Sequence, residues 1–266
     1  MEPILFDAHV HLYPQFDLRE AFTQAWRNFT ALSREPAGPR LLLLAERSDC
    51  RFFESLDLKR LPAGYTLDRL AEEPAVKIIS PADETLFLIA GRQIVSRESL
   101  EVCALACPLH LPDRQYAAAE IVDRVHQAGG VPSLNWAPGK WLFSREKVVD
   151  ALLQRFQPDA LLIGDTTMRP TLWSTPRLMQ SAQRSGFHIL AGSDPLPFSG
   201  EEKQIGRYAC RMQAAWQNDR PVASLRAALL NPGSVIERVG RRSSSCEFIS
   251  RQWRIMREQK TRGAGA

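Results

Sequence analysis

The 266-residue sequence lacks any hydrophobic run long enough to cross a bilayer. A transmembrane helix needs about 20 consecutive apolar residues, whereas an apolar run such as residues 41–44 is far shorter. The first residues, Met1-Glu2-Pro3, are not a basic segment followed by an apolar one, so no secretory signal is predicted. We therefore expect a cytoplasmic protein that does not bind a membrane.

Cysteines are few and do not suggest a disulfide framework. The chain has five, an odd number, and they are scattered along it: Cys50, Cys103, Cys107, Cys210 and Cys246. Small disulfide-stabilised domains have dense, paired cysteines. The pattern is typical of a protein from a reducing compartment, which agrees with a cytoplasmic location.

A strong charge imbalance is absent from the body of the chain. The net charge is +4, but residues 240–266 hold seven Lys or Arg and two Asp or Glu, so they carry +5 and the remainder is near −1. A basic tail can bind nucleic acid or a membrane surface, and it can also be merely solvated. We expect a partly disordered tail over residues 240–266 for which nucleic-acid binding is the less favoured interpretation.

The remaining composition is that of a soluble globular protein, with 44% apolar and 24% charged residues. Helical and strand-like segments alternate in the second half of the chain. Such alternation predicts parallel strands joined by right-handed crossovers. Residues 65–107 are less regular and predict a small antiparallel excursion with a hairpin turn at Gly91-Arg92. Everything from residue 201 onward is expected to be helical.

The most informative stretch is residues 6–12, which read Phe-Asp-Ala-His-Val-His-Leu. It follows an apolar run that predicts the first strand, so Asp7, His9 and His11 are expected on one face. The two histidines then lie roughly 7 Å apart along the strand. Two neutral imidazoles at that spacing can share a zinc, iron or manganese ion, and Asp7 could orient one of the rings. The alternative is a pair of ordinary strand histidines near the surface.

Asp194 is the second candidate ligand. It lies in an Ala-Gly-Ser-Asp-Pro segment, residues 191–195, directly after the last apolar strand. A carboxylate in that place can ligate a metal ion or take a proton from a bound water. A turn or a helix cap is the alternative, since Ser-Asp-Pro often forms one.

Other polar side chains follow the remaining strands, where parallel α/β folds place their sites. Glu46 is a candidate additional metal ligand and Asp165 a candidate proton carrier. Four cations are candidate groups for binding an anionic substrate, because guanidinium and ammonium groups pair with phosphate or carboxylate oxygens. Salt bridges with nearby carboxylates are an equally good explanation for them. These cations are Arg47, Lys140, Arg169 and Arg207.

Taken together, the motifs resemble those of the PHP (polymerase and histidinol phosphatase) superfamily over roughly residues 3–200. Asp-Ala-His-Val-His at residues 7–11 is similar to its first motif, and Gly-Ser-Asp at residues 192–194 is similar to its last. The segments at residues 43–47, 89–94, 102–105 and 129–136 resemble the intervening motifs in order and spacing. The resemblance implies a distorted TIM-like (β/α)7 barrel over residues 1–239, here with a helical C-terminal extension. It also implies a metal-dependent phosphoesterase.

The ligand set departs from that superfamily at several positions. Glu46 stands where the family has Asp. Five more departures replace expected ligands with Arg47, Gln93, Cys103, Asn135 and Leu196. The resemblance therefore implies one divalent ion, or at most two, bound by His9, His11 and Asp194 with Glu46. We expect a hydrolase acting on a small anionic phosphoester, and the alternative is a catalytically degenerate barrel that serves as a binding or scaffold protein.

Overall fold

The computed structural model describes residues 1–33, 38–72 and 74–263, with side chains as far as Glu258 in the last helix. Within these residues the chain forms twelve strands and six α-helices. The first half contains β1 (Glu2–Val10), α1 (Leu18–Leu32), β2 (Arg40–Leu44), β3 (Thr66–Arg69), β4 (Ala75–Ile79), β5 (Thr85–Ile89), β6 (Gly91–Val95), β7 (Glu101–Leu105) and α2 (Ala118–Gln127). The second half contains β8 (Val131–Asn135), α3 (Ser144–Arg155), β9 (Leu162–Thr166), α4 (Arg177–Arg184), β10 (Ile189–Gly192), β11 (Tyr208–Ala214), α5 (Pro221–Leu229), β12 (Glu237–Gly240) and α6 (Ser245–Gly263).

The strands form two sheets. The first has seven strands in the order β12-β11-β1-β2-β5-β4-β3, and the second has five in the order β10-β9-β8-β7-β6. The expected TIM-like (β/α)7 barrel is therefore wrong, because the strand pairings in the described part of the chain do not close into a barrel.

Connection length explains why the barrel does not form. A parallel crossover needs a dozen or more residues, usually including a helix. The links from β4 to β5 and from β6 to β7 have five residues each, so both pairs run antiparallel. Antiparallel strands were expected in this region as a small addition to a barrel. In the structure they end the run of parallel strands, so the sheet does not close.

Strand β1 lies in the middle of the first sheet. It pairs in parallel with β2 and antiparallel with β11, and its residues from Ile4 onward are buried on both faces. A near-continuous apolar run such as Ile4-Leu5-Phe6 suits a strand covered on both sides. The histidines that follow are consequently carried into the interior rather than to the surface.

The expected all-helical C-terminal extension is also wrong. Strands β11 and β12 follow residue 201, and β11 supplies the antiparallel neighbour of the central strand β1. The sequence of β11, Tyr-Ala-Cys-Arg-Met-Gln-Ala, contains several good helix formers. Pairing with β1 and burial overrode that local preference, as tertiary context often does.

The predicted hairpin at Gly91-Arg92 does not form, since β5 and β6 belong to different sheets. Gly91 begins β6 directly after the chain leaves β5 at Ala90. A Cβ atom at Gly91 would lie 2.2 Å from the carbonyl oxygen of Leu44 and 2.9 Å from that of Ala104. Only glycine permits the chain to pass between two strands so closely.

The helix–strand alternation in the second half is confirmed. Strands β8, β9 and β10 are parallel neighbours, and α2, α3 and α4 precede or connect them. Apolar residues of these helices, such as Val125, Val149 and Met179, pack on one face of the second sheet. The carboxyl ends of β8, β9 and β10 therefore lie at one edge of that sheet.

The region predicted as a basic tail contains the end of β12 and the helix α6. Ser244 caps α6, because its hydroxyl accepts from the backbone of Glu247 at 3.3 Å while the Glu247 carboxylate accepts from the backbone of Ser244 at 2.7 Å. None of the helices in the described residues combines the length and apolar character needed to cross a bilayer.

Candidate metal centre

The candidate site forms where β1 of the first sheet meets β10 of the second. A Cβ atom at Gly192 would lie 2.3 Å from the Cβ atom of His9 and 2.7 Å from its backbone nitrogen. Because Gly192 has no side chain, the end of β10 can lie directly against β1. The backbone N–H of Asp194 then donates to the carbonyl of His9 at 2.9 Å.

Asp7 fixes this junction. Its carboxylate is fully buried and accepts three backbone N–H groups, from His9 at 3.2 Å, Ser193 at 2.9 Å and Gly206 at 2.8 Å. Burial raises the pKa of Asp7 from 3.8 to about 6, although these hydrogen bonds oppose the shift. Asp7 thus holds the backbone on both sides of the site. The sequence suggested that it would orient a histidine ring, but its carboxylate accepts from backbone N–H groups instead.

Three potential metal-ligating side chains converge at this junction. His9 Nε2 lies 3.0 Å from His11 Nε2, and Asp194 Oδ1 lies 3.6 Å from His9 Nε2 and 3.5 Å from His11 Nε2. His9 is 3% exposed and His11 is 4% exposed, whereas the side chain of Asp194 retains 19% exposure. Among the described residues, these three form the one group whose ligand atoms all lie within 4.8 Å of one another.

The other nitrogen of His9 faces the second sheet. Asn135 Nδ2 lies 2.8 Å from His9 Nδ1 and 2.9 Å from the sulfur of Cys103. Burial lowers the pKa of His9 from 6.5 to about 4, against the attraction of Asp194. Burial also raises the pKa of the Cys103 thiol far above its ordinary range. At neutral pH the site therefore presents a neutral imidazole beside an uncharged thiol and an amide.

Asp194 is held in its place from several sides. Its backbone has a φ of +47°, a left-handed conformation that is uncommon for a residue other than glycine. Thr166 Oγ1 donates to Asp194 Oδ2 at 3.1 Å. Burial alone would raise the pKa of Asp194, but the two histidines and Arg251 outweigh it and hold this pKa well below its usual range. The carboxylate is thus charged at neutral pH.

This donor set fits a divalent metal ion. Zinc binds imidazole nitrogens and carboxylate oxygens at about 2.0–2.2 Å, so ligand atoms around a tetrahedral ion lie roughly 3.4 Å apart. The separations of 3.0, 3.5 and 3.6 Å between the three ligand atoms are close to that value. Two histidines and one carboxylate, with positions left for water or substrate, are a set that zinc, iron and manganese accept.

Glu46 does not belong to this cluster. Its Oε1 accepts from the backbone N–H of Phe53 at 2.7 Å, and its Oε2 pairs with Arg92 Nη1 at 3.3 Å. Both Glu46 and Arg92 are buried. The structure therefore places this predicted ligand in a separate buried ion pair.

Asp165 and Arg169 are likewise joined to each other rather than to the site. Arg169 donates to both carboxylate oxygens of Asp165, at 2.8 and 2.5 Å. Tyr208 donates to Asp165 at 2.9 Å, and Arg238 donates at 3.2 Å. Asp165 precedes Thr166 on β9, so the two side chains point to opposite faces of the strand.

The other predicted cations have carboxylate partners too. Arg47 Nη2 lies 3.1 Å from Asp49, and Arg207 Nη2 lies 2.8 Å from Glu247. Lys140 Nζ lies 3.4 Å from Glu101, a partly buried carboxylate whose pKa is raised by desolvation and also by Asp194. Lys140 and Glu101 are thus electrostatically linked to the candidate site, although sequence reasoning had not identified Glu101.

A cavity of about 490 Å³ lies next to Tyr13, and the residues that line it do not include His9, His11 or Asp194. Tyr13, which stacks on His11 with ring centroids 5.4 Å apart, lines it. Arg47 and Leu196 line other sides, and Ile255 of α6 closes a further wall. The cavity therefore joins the segments after β1, β2 and β10 to the C-terminal helix.

The sequence placed Asn135 and Thr166 at strand ends but gave neither a role in contacting the ligands, and it did not indicate Arg251 at all. Asn135 and Thr166 are the last residues of β8 and β9, so their position at strand ends was a usable signal. Arg251 lies in the stretch interpreted as a tail, and nothing in its local sequence indicates that it is buried.

Comparison with known proteins shows similarity at the level of the fold. No protein-family model and no curated protein matches the sequence. The structure is similar to that of PsfC from Pseudomonas syringae PB-5123, with a TM-score of 0.59 and 14% identity over 98% of this chain and 100% of PsfC. Identity at this level establishes a shared fold and leaves the activity open.

Two further solved structures are similar. PfuEndoQ, described as a novel lesion-specific endonuclease from Pyrococcus furiosus, matches with a TM-score of 0.50 and 13% identity over 90% of this chain and 59% of that chain. A two-domain protein from Bacteroides vulgatus ATCC 8482, described as containing a predicted PHP-like metal-dependent phosphoesterase, matches at 0.45 and 15% identity over 88% and 64%.

Proposed function

We propose that this chain is a PHP-like metal-dependent hydrolase that acts on a small anionic substrate, most simply a phosphoester. One observation carries the proposal: His9, His11 and Asp194 converge within 4.8 Å at the junction of the two sheets. The order of the PHP-like motifs in the sequence supports it, and so does the fold shared with PfuEndoQ, which is described as an endonuclease. One divalent ion is proposed, held by these three residues.

The residues around the cluster suit that role. A bound divalent ion would supply a water of lowered pKa and polarise the substrate. His9 is neutral at pH 7 because its pKa is about 4, and neutral imidazole is the form that ligates metals. Asp194 is charged because the histidines and Arg251 lower its pKa, so it contributes the single negative charge of the cluster in the ionised form that ligates metals.

The substrate is proposed to lie in the cavity beside Tyr13. Arg47 lines this cavity, and its side chain is 41% exposed, so it remains accessible to an anion. Lys140 is 28% exposed and is the second proposed contact. The side chains of Arg169 and Arg207 are only 3% and 11% exposed and are bound to Asp165 and Glu247, so neither is included in the proposed substrate site.

A catalytically degenerate protein that binds a ligand or a partner is the second candidate. The observation that favours it is the pair Cys103 and Asn135 on the far side of His9, at positions where the PHP-like pattern has histidines. A single ion held by three side chains is also fewer than the two or three metal ions of the PHP superfamily that the motifs resemble.

Metal analysis followed by a hydrolase screen tests the proposal. The purified chain is expected to retain close to one equivalent of zinc, manganese or iron and to hydrolyse at least one member of a phosphomonoester and phosphodiester panel. His11→Ala and Asp194→Asn are expected to lose more than about 100-fold in metal affinity, since losing even a hydrogen-bond partner of a ligand costs about 10- to 100-fold.

His188→Ala is the matched control, because His188 contacts the carbonyl of Asn231 on the protein surface and stands outside the cluster. If the unmodified chain binds no metal and hydrolyses nothing, the hydrolase proposal fails and the binding function is favoured.

A further inference from the structure

Arg251 of α6 is a buried arginine attached to the loop that carries Asp194. It is 4% exposed, although it belongs to a segment whose sequence resembles a solvated basic tail. Its Nη2 donates to the carbonyl oxygen of Asp194 at 2.7 Å, and its Nη1 donates to Thr167 Oγ1 at 2.7 Å. A charge-assisted hydrogen bond of this length is among the stronger ones in proteins.

These contacts act on a backbone that needs support. Asp194 has a φ of +47°, and a non-glycine residue in the left-handed region persists only where its surroundings hold it. Thr167 Oγ1, which accepts from Arg251, donates to the carbonyl of Ser193 at 2.5 Å. Arg251 therefore fixes two successive carbonyls, one directly and one through Thr167.

Burial of the Arg251 charge is balanced by Glu201. Glu201 Oε2 lies 2.9 Å from Arg251 Nη2, and both side chains are almost fully buried. Glu201 also accepts from the backbone N–H of Leu196 at 3.2 Å, two residues after Asp194. The two members of the ion pair therefore bind the backbone of the same loop, Arg251 at Asp194 and Glu201 at Leu196.

The helix that carries Arg251 is itself anchored near the site. Glu247 pairs with Arg207 at 2.8 Å, and Phe248 contacts Trp173 with ring centroids 5.2 Å apart. The position of Arg251 is therefore set by the docking of α6 and not by a flexible side chain alone.

We propose that Arg251 is a positioning residue of the metal centre, so that α6 is a working part of the site rather than a tail. It acts through Asp194, whose carboxylate it keeps opposite the two histidines. This inference rests on the proposed function, in which His9, His11 and Asp194 bind a divalent ion.

The test compares two arginine variants on the same helix. Arg251→Gln removes the contacts to Asp194 and Thr167. Arg254→Gln makes the same chemical change at a residue that reaches Ser199 at 3.2 Å and Glu201 at 3.9 Å but does not contact Asp194. Affinity for Mn²⁺, Zn²⁺ and Co²⁺ is measured by titration calorimetry, and the Co²⁺ absorption spectrum reports the ligand geometry.

Arg251→Gln is expected to weaken metal binding about 10- to 100-fold, the range for residues that orient ligands, and to change the Co²⁺ spectrum. Arg254→Gln is expected to leave both unchanged. Arg251→Lys, whose ammonium can still reach one carbonyl, is expected to recover part of the affinity. Equal affinity in Arg251→Gln and Arg254→Gln would overturn the inference.

A further variant separates positioning from stability. Arg251→Gln leaves the Glu201 carboxylate buried without its main partner, which is destabilising. The double variant Glu201→Gln with Arg251→Gln removes both charges and is expected to recover the unfolding midpoint while metal affinity stays low. Recovery of affinity together with stability would show that Arg251 is merely structural. Absence of metal binding in the unmodified chain would instead overturn the proposed function itself.

Discussion

At the scale of single residues, the carboxylates at the strand ends differ in the partners that they meet. Asp194 faces two histidines, whereas Glu46 faces Arg92 and Asp165 faces Arg169. All three follow or end apolar strands, so local sequence makes them equivalent candidates. Only the partners brought from elsewhere in the fold decide which carboxylate is available to a metal ion.

This difference predicts the behaviour of Asp165→Asn. The substitution leaves the guanidinium of Arg169 buried without a counter-charge, and breaking a buried ion pair typically costs about 3–5 kcal/mol. We expect the free energy of unfolding to fall by about 3 kcal/mol, while metal affinity stays unchanged. Urea unfolding and metal titration measure the two quantities. A selective loss of metal binding with unchanged stability would instead assign Asp165 to the site.

Gly192 gives a second residue-scale prediction. The Cβ atom of Gly192→Ala would meet His9 at 2.3 Å, and overpacking of this kind costs about 1–3 kcal/mol. We expect the variant to unfold more easily and to bind metal more weakly, because the junction of β1 and β10 must open. Urea unfolding and metal titration measure both effects.

Gly233→Ala is the control for that change. Its Cβ would approach Asn231 no closer than 3.3 Å. We therefore expect the free energy of unfolding to change by no more than about 0.5 kcal/mol. Similar stability of the two alanine variants would show that the junction tolerates a side chain at Gly192.

The sequence predicted the histidines well and their surroundings poorly. Alternation along a strand places His9 and His11 on one face, and an Asp after the last strand was a reasonable third candidate. The contact from Arg251 could not be inferred, because it depends on how a helix some 57 residues beyond Asp194 in the chain docks. Periodicity describes a local surface and does not identify what packs against it.

At the scale of elements, β11 also shows that local sequence does not identify the packing partner of a segment. Its helix-forming composition predicted a helix, but the strand fills the position next to β1. The helices α2 and α3 were predicted because each has an apolar stripe that the second sheet buries. The helices could be predicted because burial of one face leaves an apolar stripe in the sequence. Strand β11 could not be predicted because its conformation depends on pairing with β1.

The docking of α6 predicts a pH dependence. The side-chain hydrogen bond with Arg207 lowers the pKa of Glu247 from 4.5 to about 2. A folded-state pKa below the unfolded value means that the charged carboxylate stabilises the fold above pH 4.5 and that this contribution is lost as the pH falls towards 2. The stability difference between the unmodified chain and Glu247→Gln is therefore expected to narrow over that range.

Urea unfolding at stepped pH measures this difference. Glutamine retains the capping geometry with Ser244 but not the charge, so the pH-dependent part reports the ion pair. Glu2→Gln, which alters one exposed carboxylate, is the control and is expected to show no comparable narrowing. A difference that stays constant from pH 5 to pH 3 would rule out this contribution of the Arg207 pair.

At the scale of the whole molecule, the three candidate ligands come from both sheets. His9 lies in β1 of the first sheet and His11 directly follows that strand. Asp194 comes two residues after β10 of the second sheet. The parallel part of each sheet was predictable from helix–strand alternation. Antiparallel strands were predicted within residues 65–107, but the division of the strands into two sheets was not, because strand pairing depends on residues that lie far apart in the sequence.

A ligand set divided between two sheets predicts that metal binding stabilises the whole fold. An ion that binds only the native state adds about 2.7 kcal/mol when its free concentration is 100 times the Kd. We expect the unfolding midpoint to rise with metal concentration. Amide exchange should slow in both β1 and β10, since the two sheets cannot separate from each other while the ion is bound. The effect should vanish in His11→Ala and persist in His188→Ala. A rise of equal size in His11→Ala would mean that the ion binds elsewhere, and protection confined to one sheet would mean that the ligands do not act across the junction.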